Sequence, residues 1–238
     1  FLPSAHHEKP IVREFDWRGS VKDMVESLNV PHPEVALLTV NAEAVGFDYI
    51  VVDGDVIEAY PVDRLPDGSE AAAVLRPPLT DKPRFILDTH LGRLAAYLRM
   101  AGFDTLYRND YPDDELAQVA HDERRVLLTR DIGLLKRGLV TYGYFVRETN
   151  PAKRLHEIVD RFDLSAHTDG VGFARCTRCN GTLHPATPDE VRGRVRDTTL
   201  DYYDTFHVCE DCEQVYWAGS HYQRMAGLLA DALGRDPA

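Results

Sequence analysis

The sequence predicts a three-part α/β protein organised around a parallel sheet. Three observations carry that prediction. Between residues 84 and 162, short apolar runs alternate with helical periodicities, the pattern of right-handed crossovers and a parallel sheet. Ahead of them, residues 11–60 hold one helical pattern and several short strand patterns, as in a small α+β unit. Behind them, all four cysteines fall in two Cys-x-x-Cys pairs, Cys176/Cys179 and Cys209/Cys212.

Taken in order, residues 1–10 read as a loop and Ile11–Trp17 as a possible strand. Ser20 is a good N-cap, and Val21, Met24, Val25 and Leu28 fall at helical spacing, so a helix is expected over about 20–28. Pro31 and Pro33 end it. Val35–Val40, Ile50–Val52 and Val56–Tyr60 read as strands, with a turn at Asp53-Gly54-Asp55. Residues 61–83 are rich in Pro, Asp and Gly and read as a linker. Phe85–Leu87 is the first strand of the central unit. Leu91, Leu94, Ala95, Leu98 and Ala101 mark a helix that stops at Gly102. Asp104–Tyr107, Val126–Leu128 and Tyr142–Val146 are further strands, with helices over 114–121 and 132–136 between them. Asn150-Pro151 caps a last helix through Leu155, Ile158 and Val159. The expected modules are 1–79, 80–165, and 166–238, the last holding the cysteine module and a C-terminal helix.

Composition bounds the function. Hydrophobic content is 44% and charged content 28%, as in globular domains, and no apolar run approaches the ~20 residues of a membrane helix. There is no basic segment followed by an apolar run, so no signal peptide is expected; the Phe1 start suggests an upstream segment. The net charge of −12 divides as 6 basic against 14 acidic residues over 1–80, 14 against 14 over 81–165, and 7 against 11 over 166–238. Generic polyanion binding is therefore disfavoured, and the neutral middle segment is the part least hostile to RNA or DNA. Cysteines in metal spacing rather than a disulfide framework suggest a cytoplasmic protein.

The chemistry gathers at strand ends. Asp88 and Asp131 each follow an apolar strand pattern and precede a helix, which puts both carboxylates at the carboxyl edge of the sheet, where open α/β sheets bind ligands. Asp113, Asp114 and Glu115 open a helix after the second strand and reach the same edge. Converging carboxylates suit hard Mg²⁺ or Mn²⁺, which would activate water for phosphodiester hydrolysis. Arg93, Arg130 and Lys136 lie in nearby first turns as phosphate-binding candidates. Strand-end aspartates also serve as N-caps, and Asp113 has that reading too, leaving Asp114 or Glu115 as the inward carboxylate. Asp104 lies at the opposite edge, and Arg124 and Arg125 read as a solvated helix end.

Two Cys-x-x-Cys knuckles 29 residues apart supply four thiolates for a closed tetrahedral Zn²⁺, a structural site. An iron–sulfur or redox site is the other reading. His207 and His221 are spare ligands. Arg192, Arg194 and Arg196 recur at period two, as a strand with one basic face or a solvated surface.

The motifs Leu87-Asp88-Thr89-His90-Leu91-Gly92-Arg93-Leu94 and Leu128-Thr129-Arg130-Asp131, with Tyr216-Trp217 and Gly219-Ser220-His221 after the second knuckle, resemble the Mut-seven C-terminal RNase family. That family's core is a PIN-like nuclease followed by a zinc ribbon. The resemblance implies metal-dependent cleavage of RNA, with Asp88, an acid of the 113–115 run and Asp131 as metal-site residues; within the run Asp114 is taken as the catalytic acid, with Asp113 and Glu115 in reserve. Glu148 is the nearest candidate for the fourth acid that PIN nucleases bring. Residues 20–28 and 53–61 resemble a ubiquitin-like β-grasp domain, which implies that its first strand lies upstream of residue 1 and that it binds a protein partner. It runs on without a terminal Gly-Gly, which weakens a sulfur-carrier role. The rival to the nuclease is an adaptor with a degenerate acidic site.

Overall fold

The computed structural model describes residues 1, 2, 4, 9–61, 65, 75–77, 79, 82–168 and 172–234. Helix α1 (Val21–Ser27) opens the N-terminal unit. Ser20 caps it, its hydroxyl taking the Asp23 N–H at 3.2 Å while the Asp23 carboxylate takes the Ser20 N–H at 2.9 Å. Strands β1 (Val35–Val40), β2 (Glu43–Ala44) and β3 (Ile57–Pro61) form an antiparallel sheet in the order β2-β1-β3. Val21, Met24, Val25, Val35 and Leu38 close the core beneath α1.

The central sheet is fully parallel, in the order β5-β4-β6-β7, from β4 (Phe85–Leu87), β5 (Thr105–Tyr107), β6 (Val126–Thr129) and β7 (Gly143–Phe145). Alternation divides its side chains between two cores. Phe85, Leu87 and Leu128 face α2 (Gly92–Met100) and α5 (Pro151–Arg161). Ile86 and Leu127 face α3 (Asp113–Asp122) and the single turn α4 (Ile132–Leu135). Adjacent strands β4 and β6 therefore lead into helices on opposite faces, which makes their carboxyl ends the switch point of the sheet.

Residues after α5 build a second antiparallel sheet, β10-β9-β8, from β8 (Leu183–Ala186), β9 (Phe206–Cys209) and β10 (Val215–Tyr216), with α6 (Asp197–Leu200) in the β8–β9 connection. Helix α7 (Ser220–Ala232) returns to the central unit and packs on α5 and α2, placing Leu229, Ala232 and Leu233 in the same core as Phe85.

Several expectations change. Ile11–Trp17 is not a strand, and Val12 is 88% exposed, so its apolar residues share no buried face. Of Ile50–Val52, only Ile50 makes a bridge, to Ser20. Arg192–Arg196 is a turn rather than a strand. Arg125 is buried: it forks onto both Asp104 oxygens at 2.8 and 2.9 Å and donates to the Phe85 carbonyl. The expected opening loop and the linker over 61–83 lie partly outside the described residues.

Two junctions join the parts. The turn His32–Glu34 lies along edge strand β7, with Glu34 accepting the Phe145 N–H at 2.6 Å and His32 Nε2 2.8 Å from the Val140 carbonyl. At the far edge, Asn180 accepts the Thr105 N–H at 2.9 Å and donates to Asp104 at 2.7 Å. Buried Arg99 of α2 donates to the Thr177 and Arg178 carbonyls at 3.0 and 3.2 Å.

Candidate functional site

The switch point carries Asp88 and Asp131, and one hydroxyl joins them. The register Leu87↔Leu128 sets Asp88 beside Thr129. The Asp88 N–H still donates to the Leu128 carbonyl at 3.1 Å, so its backbone remains tied to the ladder. Thr129 Oγ1, fully buried, donates to Asp88 Oδ2 at 2.6 Å and accepts the Asp131 N–H at 2.9 Å. Asp88 Oδ1 accepts the Thr89 N–H at 2.5 Å. Asp131 Oδ1 caps α4, accepting the Gly133 and Leu134 N–H groups at 2.6 and 3.1 Å. The capping reading is thus met at Asp131 and leaves its Oδ2 without a protein hydrogen bond among the described residues.

The turn from β4 into α2 is tightly shaped. His90 adopts φ 67°, a left-handed conformation uncommon for a side chain with Cβ. At Gly92 a Cβ would lie 2.8 Å from the Tyr107 ring and hydroxyl, so this glycine lets the edge-strand tyrosine cover the start of α2.

The acidic run separates. Asp113 is in the first turn of α3 rather than at its cap, which is Pro112, and it pairs with Arg137 at 3.6 Å. Glu115 holds Arg108 through both oxygens at 3.1 and 2.8 Å. Asp114 is exposed and is the one acid of the three without a cationic partner among the described residues. Glu148 follows β7; its N–H donates to Glu157, and its carbonyl accepts from Arg130 and Arg154. Asp88, Asp114 and Asp131 do not draw their oxygens into one tight ligand set.

The three cations part company as well. Arg93 is exposed on the first turn of α2. Arg130 is spent on the chain, donating to the Val146, Arg147 and Glu148 carbonyls at 2.7, 2.8 and 3.2 Å. Lys136 donates to the Glu26 carbonyl and Asn29 Oδ1 of the N-terminal unit, at 2.8 and 3.2 Å. Because α4 is one turn long, Lys136 sits at the end opposite Asp131, away from the strand edge.

The cysteines do converge. Their four sulfurs lie within 4.8 Å of one another, with Cys176–Cys212 at 3.6 Å and Cys179–Cys209 at 3.4 Å. Tetrahedral Zn²⁺ with bonds of about 2.3 Å needs sulfurs about 3.8 Å apart, so the donor set fits that ion. Each knuckle turns back through a left-handed residue, Asn180 at φ 79° and Glu213 at φ 57°. A Cβ at Gly181 would lie 2.9 Å from Cys209 Sγ, so a glycine lets the two knuckles close. Burial works to raise the Cys176 thiol, but hydrogen bonds from Tyr216 and the Cys179 and Arg178 N–H groups bring it down to about 7. Burial pushes Cys179 and Cys209 up, so their ionisation calls for a cation. His207 is no ligand: it stacks on Phe173 at 4.3 Å, and burial lowers its pKa. His221 lies exposed at the start of α7.

Thr129 and Arg99 are the residues that sequence reasoning misses. For Thr129 the available signal is a hydroxyl closing the apolar run Val126–Leu128. Arg99 carries no such signal, since an arginine late in a helix is ordinarily solvated. No helix among the described residues is long and apolar enough to cross a membrane.

No curated protein and no solved structure matches the chain. Two family descriptions do. "Mut7-C ubiquitin" matches residues 1–66, the unit beneath α1, and "Mut7-C RNAse domain" matches residues 83–229, which takes in the parallel sheet, the cysteine knuckles and most of α7. With a PIN-like sheet, a ubiquitin-like unit before it and four gathered cysteines behind it, the chain belongs to the Mut7-C RNAse domain family.

Proposed function

We propose that the chain is a metal-dependent ribonuclease whose centre is built on Asp88 and Asp131, with Asp114 as the third acid and Asp113, Glu115 and Glu148 in reserve. The observation that supports it is the Thr129 hydroxyl joining Asp88 and Asp131 at the switch point of the sheet. A bound Mg²⁺ or Mn²⁺ would supply Lewis acidity and a nucleophilic water. The chain's own part is positional. Thr129 fixes the rotamer of Asp88, the α4 cap fixes that of Asp131, and Arg93 is the exposed cation for a phosphate of the RNA. Zn²⁺ on the four cysteines is structural in this reading, because four thiolates leave no open position. The modules divide at 79–80 and 165–166, the protein works in the cytoplasm, and the ubiquitin-like unit offers its remaining surface to a protein partner.

Asp88→Asn tests the centre. It should abolish Mn²⁺-dependent cleavage of single-stranded RNA while leaving the melting temperature within a few degrees. Undiminished cleavage by contaminant-free variant refutes the reading.

The adaptor reading draws on the pairing of Asp113 and Glu115 with arginines and on the engagement of Arg130 and Lys136 elsewhere. Titration with Mn²⁺ separates the two. A specific site lost in Asp88→Asn supports the nuclease, and no binding beyond the cysteines supports the adaptor.

A further inference from the structure

The three arginines at period two are divided by the turn that replaces the expected strand. Arg192 pairs with Asp189 at 2.8 Å. Arg194 and Arg196 line a groove of about 800 Å³ between the β8–β9 connection and β10. Its other walls include Thr199, Gln214, Val215 and Trp217. Arg194 leans on the Glu213 carbonyl, which leaves its other donors available, and Arg196 has no carboxylate partner among the described residues. Glu213 is the single carboxylate in the lining, which also includes Cys212 of the second knuckle, so two guanidinium groups face one carboxylate there within a chain of net charge −12. Trp217 packs against the ribbon core of Val191, Phe206, Val208 and Val215, yet remains partly exposed where it joins the groove.

An indole anchored on a rigid β-ribbon, beside two arginines and an amide, is the equipment for single-stranded nucleic acid. The ring gives a stacking surface indifferent to base identity, and the arginines meet phosphates. An amide both donates and accepts, so Gln214 suits a base edge or a 2′-hydroxyl. A volume of about 800 Å³ lies in the range of small-ligand clefts and admits a nucleotide. We propose that this groove is a second RNA-binding site, which holds a nucleotide of a single strand with its base on Trp217 and its phosphates toward Arg194 and Arg196. The polymer's identity rests on the ribonuclease reading. The groove lies on the ribbon, whereas the Asp88–Asp131 pair lies on the nuclease sheet, so it holds the strand away from the cut rather than taking part in the chemistry.

The test is equilibrium binding of a fluorescent ten-residue oligouridylate to the full, zinc-loaded chain without Mg²⁺ or Mn²⁺, read by anisotropy at several salt concentrations. Arg194→Ala/Arg196→Ala should weaken binding about tenfold and reduce the salt slope by about 0.7 for each arginine lost. Arg196→Lys should retain most of the affinity. Trp217→Phe should bind more tightly than Trp217→Leu, because only the first keeps a stacking face. Zinc content and melting temperature confirm that each variant is folded. A folded double-arginine variant that binds within twofold of the parent overturns the proposal. Cleavage is scored separately with Mn²⁺. Arginine-dependent binding by a parent that cuts no RNA would leave the groove standing and remove the nuclease reading. A parent that cuts while the double variant binds unchanged removes the groove alone.

Discussion

At the scale of single residues, the Thr129 hydroxyl sets the geometry of the acidic edge by donating to one aspartate and accepting from the backbone of the other. Thr129→Val keeps the branched shape that suits a strand and removes both hydrogen bonds. It strands the Asp131 N–H, a penalty of about 1–3 kcal/mol. The variant should melt several degrees lower and cleave RNA at least tenfold more slowly, with Thr129→Ser recovering most of both. Calorimetry and initial rates with Mn²⁺ check this, and a full rate in Thr129→Val would remove Thr129 from the centre. The two aspartates are legible in the sequence because an apolar run followed by a carboxylate and a helical pattern places them without knowledge of neighbours. Thr129 is not, because its partner is chosen by the register between β4 and β6 and lies 41 residues away in sequence. Arg125 escapes for a related reason. An Arg-Arg pair after a helix reads as solvated until Asp104, 21 residues earlier, is brought to it.

At the scale of elements, the start of β5 is where sheet and ribbon meet. Asp104 accepts from Arg125 and from Asn180 of the first knuckle. Burial works to raise the Asp104 carboxyl, but hydrogen bonds from Arg125 and then Asn180 outweigh it and hold the group below the ordinary carboxylate value. A carboxylate depressed in the folded state stabilises fully above its unfolded pKa of about 4, and that contribution fades as pH falls through the lower folded value. Urea midpoints measured from about pH 5 downward should therefore fall less steeply in Asp104→Asn than in the parent. Equal slopes would mean that this pair does not contribute to the acid limb. Helix α2 matches its expected span to within a residue or two, since its apolar spacing and Gly102 are local signals. The segment 192–196 departs from expectation, because period two is shared by strands and by turns whose alternate residues find different partners.

At the scale of the whole molecule, the central unit is gripped at both edges of its sheet. The N-terminal unit meets β7 through Glu34 and the segment before it through His32, and the ribbon meets β5 through Asn180. A side chain thereby takes one backbone N–H at each edge, which works against edge-to-edge association of a parallel sheet. Zinc should be present at one ion per chain by mass spectrometry. Its removal with a chelator, or Cys179→Ser, should loosen the first knuckle and speed hydrogen exchange at the Thr105 amide, whose acceptor is Asn180. Unchanged protection at Thr105 after complete zinc loss would show that the junction stands without the ion. The modular order is legible because each part has its own compositional mark, whereas the junctions are not, since they are made by single polar side chains of ordinary appearance.

Helix α7 gives the chain a property that linear order conceals. The polypeptide leaves the central core after α5, builds the ribbon, and then comes home to lay Leu229, Ala232 and Leu233 against the core it had left. The ribbon is thus a closed excursion, hemmed by two anchors on one body, rather than a pendant tail. A stop introduced at residue 219 would spare every cysteine and yet strip a wall from the central unit, so its lesion should surface as exposed apolar surface on the α2–α5 face, detectable by dye binding, with zinc still in place. In this protein the residues made after the ribbon finish the middle of the molecule.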